Sequence, residues 1–258
     1  MRVSIAGRAA SVLLIALVAS AIAAARVHAA EGLFLTWGDC ALGGAGNPNL
    51  SIPCESDDGE NALYCAFSLA QAIDQVLGIE LVVDLQSDLD PLPDWWRFES
   101  GVPTPPPGCR LGALGASRDF SGAPTCTDPW AGTTGDALVA DYTPGSPRGG
   151  TNQARIRAVA DVSVGPALAL DGSHTYYGLK LILRNSGTSV CSGCASPVCL
   201  VLNSIWLRRP GVPGGDVLLT APGPGNANWA TWQASASQNC AAVPVRRRTW
   251  GQLKSLYR

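Results

Sequence analysis

The sequence predicts an all-β fold, a β-sandwich of jelly-roll-like layout with a short C-terminal helix, occupying residues 31–258 as one domain. Three observations carry that expectation. Residues 79–86, 154–162 and 175–185 alternate apolar and polar side chains at the period of two that a half-buried strand requires. The chain holds 29 glycines and 19 prolines, many of them between the alternating runs, where turns need them. Nine cysteines follow an export-type leader, the usage of a secreted fold held by disulfides.

The leader comes first. Arg2 and Arg8 supply a positive start, residues 9–25 an apolar stretch, and Val27-His28-Ala29 the small residues a signal peptidase cuts beside. Cleavage after Ala29 or Ala30 makes residues 1–30 a signal peptide and starts the mature chain near Glu31. Three of the 18 basic residues (Arg2, Arg8 and Arg26) precede residue 31, which leaves 15 against 20 acids and a mature charge of about −5. That balance argues against nucleic acid or an anionic membrane as partner. No later apolar run is long enough to span a bilayer.

In chain order, residues 32–37 form a first strand, and the Gly-, Asn- and Pro-rich residues between Cys40 and Cys54 a loop. Residues 63–70 fit two periods. At period two, Leu63, Cys65, Phe67 and Leu69 share a face; at the helical period, Ala66, Leu69, Ala70, Ile73 and Leu77 make a stripe. The strand is preferred, because the next run is plainly β, with Ile79, Leu81, Val83 and Leu85 alternating with Glu80, Val82, Asp84 and Gln86. Asp90-Pro91-Leu92-Pro93-Asp94 breaks that run, a further strand is expected at 95–99, and the prolines of 103–107 mark an exposed loop or edge. Residues 108–150 read as turn-rich.

Two strong strands follow at 154–162 and 175–185, joined through the turn signal Asp171-Gly172. The hairpin-like unit 155–186 faintly echoes 63–87, each being strand, loop, strand and polar turn. Residues 190–207 then gather Cys191, Cys194 and Cys199 and run into the most apolar segment of the mature chain. There Leu202, Ser204 and Trp206 oppose Val201, Asn203, Ile205 and Leu207. Both faces are mostly apolar, so this strand is expected mid-sheet and covered on both sides, its cover being the tail around Trp250. Short strands at 216–220 and 228–232 come next. Thr249 and Gln252 make a capping box for the final helix, with Trp250, Leu253 and Tyr257 on one face.

The strings L-Y-C-A-F-S-L, G-I-E-L-V-V-D-L-Q-S, L-P-D-W-W-R-F, C-L-V-L-N-S-I and T-W-G-Q-L-K-S-L-Y-R resemble a family of uncharacterised secreted bacterial proteins across nearly the whole mature chain. The resemblance implies a single exported unit and favours the strand at 63–70. It carries no activity and no catalytic residue.

For the cysteines an exported chain favours disulfides. Cys40 with Cys54 and Cys109 with Cys126 would close short loops, at about 3 kcal/mol each in the chain-entropy model. Cys191, Cys194, Cys199 and Cys240 would form two more bonds in one of three pairings, and the inward-facing Cys65 is the odd, buried free thiol. The competing readings are a four-thiolate zinc site and a redox C-x-x-C at Cys191-x-x-Cys194. The first lacks a second C-x-x-C arm, and the second lacks a βαβ setting.

Chemistry has few candidates. After the leader only His174 remains among histidines, and no G-x-S-x-G elbow supplies a nucleophile. Glu55, Asp57 and Glu60 match the E-x-D-x-x-E spacing of laminarinase-like jelly-roll glycosidases, yet Ser, Asp and Gly between them describe a turn rather than a cleft strand. The same loop offers Asp57, Asp58 and Glu60 as oxygen ligands for calcium. Eight tryptophans against four phenylalanines draw attention to Trp95 and Trp96. On a strand these two point to opposite faces, leaving one exposed to stack on a sugar or anchor a protein. Trp229 and Trp232 are similarly out of phase. The expectation is a non-enzymatic exported module, binding or surface-structural, without a cofactor. Its partner is a glycan or protein at the cell exterior, and a carboxylate-dependent glycoside hydrolase is the alternative.

Overall fold

The computed structural model describes residues 31–41, 46–101, 106–225, 227–234 and 240. The expected leader at 1–30 and the expected helix at 249–257 lie outside the described residues. Among the described residues thirteen strands are formed: β1 (Gly32–Trp37), β2 (Asn49–Leu50), β3 (Glu60–Ser68), β4 (Ile73–Val76), β5 (Gly78–Ser87), β6 (Leu114–Ser117), β7 (Ala137–Pro144), β8 (Gln153–Asp161), β9 (Leu168–Leu170), β10 (Thr175–Arg184), β11 (Val198–Arg208), β12 (Val217–Leu219) and β13 (Trp229–Trp232). The fold is all-β, and no helix among the described residues is long and apolar enough to cross a membrane.

One long antiparallel ribbon builds the sandwich. β3, β4 and β5 run out, and β8, β9 and β10 run back beside them, pairing as β3 with β10, β4 with β9 and β5 with β8. The ribbon folds over at β4 and β9, so its two ends fall in different sheets. One sheet has the order β1-β3-β10-β6; the other has β2-β13-β11-β5-β8-β7, with β12 on β11. The faint echo between 63–87 and 155–186 therefore has a structural counterpart, but neither unit is a hairpin. Within each unit the two long strands lie in opposite sheets, and the pairing is between the units.

The period-two runs supply the core. Ile79, Leu81, Val83 and Leu85 of β5 and Ala154, Ile156, Ala158 and Ala160 of β8 are buried against the smaller sheet. From that sheet come Leu35, Leu63, Cys65 and Leu181, each fully inside. The outer face of the smaller sheet is covered as well. Phe120 stacks on Tyr177 with centroids 4.4 Å apart, and Cys126 of the same loop is bonded to Cys40 at the end of β1. A bulge at Gly178 of β10 sends Tyr177 to that outer face while Leu179 stays in the core; a Cβ at Gly178 would lie 3.0 Å from the Cys65 carbonyl.

Three expectations are corrected. Residues 94–96 form a 3-10 turn, not a strand; Pro91 and Pro93 remove ladder donors just before it. The stretch read as turn-rich contains β6 and β7, edge strands too short or too bulged to show a clean period. In β11 a bulge at Asn203 shifts the alternation, since Leu202 pairs with Val83 but Ser204 pairs with Val82. Leu200, Leu202, Ile205 and Leu207 thus all face the core, and Trp206 and Arg208 face out. The strand is not apolar on both faces; its C-terminal half is open to solvent.

The eight cysteines assigned to disulfides are those that pair; Cys199–Cys240 is among the expected pairings, and the other three pairs differ from the expected ones. Cys40 joins Cys126, Cys54 joins Cys194, Cys109 joins Cys191 and Cys199 joins Cys240, while Cys65 is free and buried. The sequence separations are 86, 140, 82 and 41 residues. Each bond ties a long loop back onto the sandwich rather than closing a small one. In the chain-entropy model such spans stabilise by about 4–5 kcal/mol apiece when taken singly. Cys191 and Cys194 bond to different loops, so they form neither a zinc arm nor a redox pair.

Candidate functional site

Trp95 and Trp96 are not a ligand platform. Successive residues of a 3-10 turn are a third of a turn apart, so both rings reach the interior, and both are fully buried. Trp95 stacks on Trp232 at 4.5 Å, and Trp96 meets Trp95 edge-on at 4.9 Å. Trp37 closes the group against Trp232 at 5.7 Å. The Trp95 indole N–H donates to Thr188 Oγ1 at 3.0 Å, and that of Trp232 to the Cys194 carbonyl at 2.7 Å.

Over this cluster lies Arg110, 2% exposed, its guanidinium 3.6 Å from the Trp95 ring centroid. It donates to the carbonyls of Ser186 and Trp95, both at 3.0 Å, and to that of Arg184. Burial pushes its pKa down to about 10, which still leaves it charged at neutral pH. Arg110 is a positioning cation that joins the Trp95 turn to the strand end at Arg184.

The acidic loop does not gather a calcium site. The Asp57 carboxylate accepts from the Ser189 amide at 2.7 Å and the Ser189 hydroxyl at 2.9 Å, bonds that hold its pKa below the ordinary value. Asp58 offers its backbone carbonyl to Asn185 Nδ2 at 2.8 Å, and Glu60 starts β3 in solvent. Among the described residues no three His, Cys, Asp or Glu side chains converge as metal donors. The loop's hydrogen-bonding capacity goes to the 185–189 turn instead. Glu55 and Asp57 lie on that loop, not on a strand, so the glycosidase spacing is not presented to a cleft.

His174 is half-exposed and meets Asp171 Oδ1 at 2.9 Å and Ser173 Oγ at 3.1 Å, both through Nδ1. A serine–histidine–carboxylate relay needs the two partners on different ring nitrogens. This is a turn, stabilised by its own side chains.

The open surface is the outer face of the larger sheet. Pairing registers align Leu218 of β12, Trp206 of β11, Glu80 of β5, Val159 of β8 and Leu138 of β7 in one row. Five strands at the usual spacing span about 19 Å. Trp206 is 37% exposed, with Leu218 and Leu138 about half exposed at the two ends of the row. Among the described residues Trp206 is the one exposed aromatic.

Around Trp206 the charges pair with one another. Glu80 lies between Arg208 and Arg157, the latter at 3.9 Å, and Arg208 also reaches Asp216 at 2.5 Å. Arg155 grips Asp84 through two bonds of 2.7 and 2.9 Å. In these pairs three arginines meet three carboxylates, and Asp141, opposite Arg157 on the same face, accepts a hydrogen bond from Thr143. The Arg208 guanidinium sits 3.9 Å from the Trp206 ring and holds the indole in place. Asn203, at the bulge, gives its amide N–H to Asp84 and keeps a buried Oδ1 without a partner.

The alternation of β11 alone could not find this face, because the bulge moves Trp206 relative to Leu202. The signal that could have found it is Leu218 in V-L-L, an outward leucine on a strand neighbouring Trp206. Searches against family models, curated proteins and solved structures return no match.

Proposed function

We propose that the chain is an exported, non-catalytic binding module that holds a neutral glycan on the open face of its seven-stranded sheet. The carrying observation is Trp206, an exposed indole amid a flat lattice of self-paired charges. An indole face stacks on the apolar face of a pyranose while its rim stays polar. The arginines and carboxylates around it neutralise one another, which disfavours a polyanion or polycation. They leave fixed donors and acceptors suited to hydroxyl groups. The four disulfides are compatible with an oxidising extracellular or periplasmic location, as the leader-like first thirty residues suggest.

The hydrolase alternative is weaker. A glycosidase needs two carboxylates facing each other across a cleft, whereas Glu55 and Asp57 lie on a loop and Asp57 is bonded to Ser189. An array of neutral and anionic glycans, read together with reducing-sugar release, tests the proposal. Retention of neutral glycans without release is expected. Release of reducing ends, or binding confined to anionic glycans, would overturn it.

A further inference from the structure

The opposite side of β12 lines a second site. Val217 and Leu219 point the other way from Leu218 and form one wall of a cleft of about 660 Å³ at the fold of the ribbon. Leu69, Leu170 and Leu219, each at most 2% exposed, make its floor. Its rim carries Glu31, Asp74, Asp171 and Arg209. The volume falls in the range of small-molecule pockets, which combine an apolar body with a few placed polar groups.

The charges on the rim do not cancel. Arg209 is already committed, its Nε donating to the Asp74 carbonyl at 2.7 Å and its Nη2 meeting Asp74 Oδ1 at 3.0 Å. Asp171 is held at about 2 by hydrogen bonds from Ser173 and His174, so it is ionised at neutral pH. Glu31 adds a third carboxylate. Among the described residues no three such donors gather as a metal site. The cleft therefore suits a charge carried on an organic body better than a bare ion. The rim is also preformed, since Gly172 packs so closely on residues 70–71 that an added Cβ would lie 3.2 Å from their backbone.

We infer that this cleft binds an organic cation with an apolar body, a primary ammonium on an alkyl chain, whether a free amine or a lysine side chain of a partner. The alkyl part covers Leu69, Leu170 and Leu219, and the ammonium donates to Asp171 and Glu31. An anion of the same length would meet the carboxylates of Asp171 and Glu31 and is rejected.

The test titrates hexylammonium, hexanol and hexanoate into the disulfide-intact protein and follows amide shifts of Ala70, Gln71 and Ala169. Hexylammonium is expected to bind at least tenfold more tightly than hexanol, with no shift from hexanoate. Glu31→Gln and Asp171→Asn are each expected to weaken hexylammonium several-fold while leaving hexanol unchanged. An acetylated, amidated Gly-Lys-Gly peptide distinguishes the sources: shifts at the same amides assign a lysine side chain, and their absence beside hexylammonium binding assigns a free amine. Equal binding of hexanoate, or no shift at these amides with hexylammonium, would overturn the inference. Trp206→Ala, on β11 beside Leu218 and on the outer face of the sheet, should leave this titration unchanged, so the two sites succeed or fail separately.

Discussion

Replacing Arg110 with methionine tests how the interior is held together. The substitution keeps much of the side-chain volume and removes the charge. Three carbonyls, those of Ser186, Trp95 and Arg184, lose their donor, and each costs about 1–3 kcal/mol if left dry. The stack over Trp95 at 3.6 Å is lost too, worth about 2 kcal/mol for a desolvated pair. Relief from burying a charge offsets part of that sum, and a net loss of about 3–5 kcal/mol remains. For a domain of this size that corresponds to a fall in Tm of roughly 10–15 °C. Arg110→Lys should recover less than half of it, because an ammonium cannot reach three carbonyls in the guanidinium's plane. Denaturant unfolding with the disulfides intact is the assay. If both variants unfold within about 1 kcal/mol of the parent, the bridging role of Arg110 is refuted.

Other consequences are open to simpler measurements. Native protein should show no thiol reactive toward a disulfide reagent and one after unfolding, from Cys65; non-reducing peptide mapping should return Cys54 with Cys194 and Cys109 with Cys191. Two or more native thiols, or a Cys40–Cys54 peptide, would contradict the cross-linking. Tm should be unchanged by chelator or added calcium, since Asp57 is bonded to Ser189; a rise with calcium would restore the loop as a binding site. Asp57, Asp171 and Asp216 have folded pKa values below their unfolded ones. Their contribution is therefore present above the ordinary carboxylate value near 3.8 and lost as pH falls toward the value of about 2 held by Asp171. Tm should be flat from pH 5 upward with respect to these groups and fall below pH 4, less steeply in Asp57→Asn and Asp171→Asn than in the parent.

The parts of the fold legible in the sequence were those set by one local period. β5, β8 and β10 stand where Ile79–Leu85, Ile156–Ala160 and Leu179–Leu183 alternate, because one-sided burial writes itself at period two. What was not legible depends on partners far along the chain. The bulge at Asn203 is invisible in its own strand, for it is defined by the register against Val82 and Val83. It turned a segment that looked doubly buried into one with an open outer half. The disulfides failed for a related reason: Cys54 meets Cys194 across 140 residues, and nearness in sequence says nothing of nearness in a folded ribbon. Trp95 and Trp96 were misplaced because residues 94–96 turn as a 3-10 element, which a strand reading cannot accommodate.

The role given to Trp206 is tested most directly by one comparison. The affinity of the parent and of Trp206→Ala for the best-retained neutral glycan would be measured by titration calorimetry, with Tm recorded for both. Loss of an aromatic stack and its buried area should weaken binding at least about tenfold, the equivalent of about 1.4 kcal/mol, while Tm falls only modestly because the indole lies on the outer face of the sheet and not in the core. Affinity within twofold of the parent at unchanged Tm would contradict the assignment of this face as the glycan site.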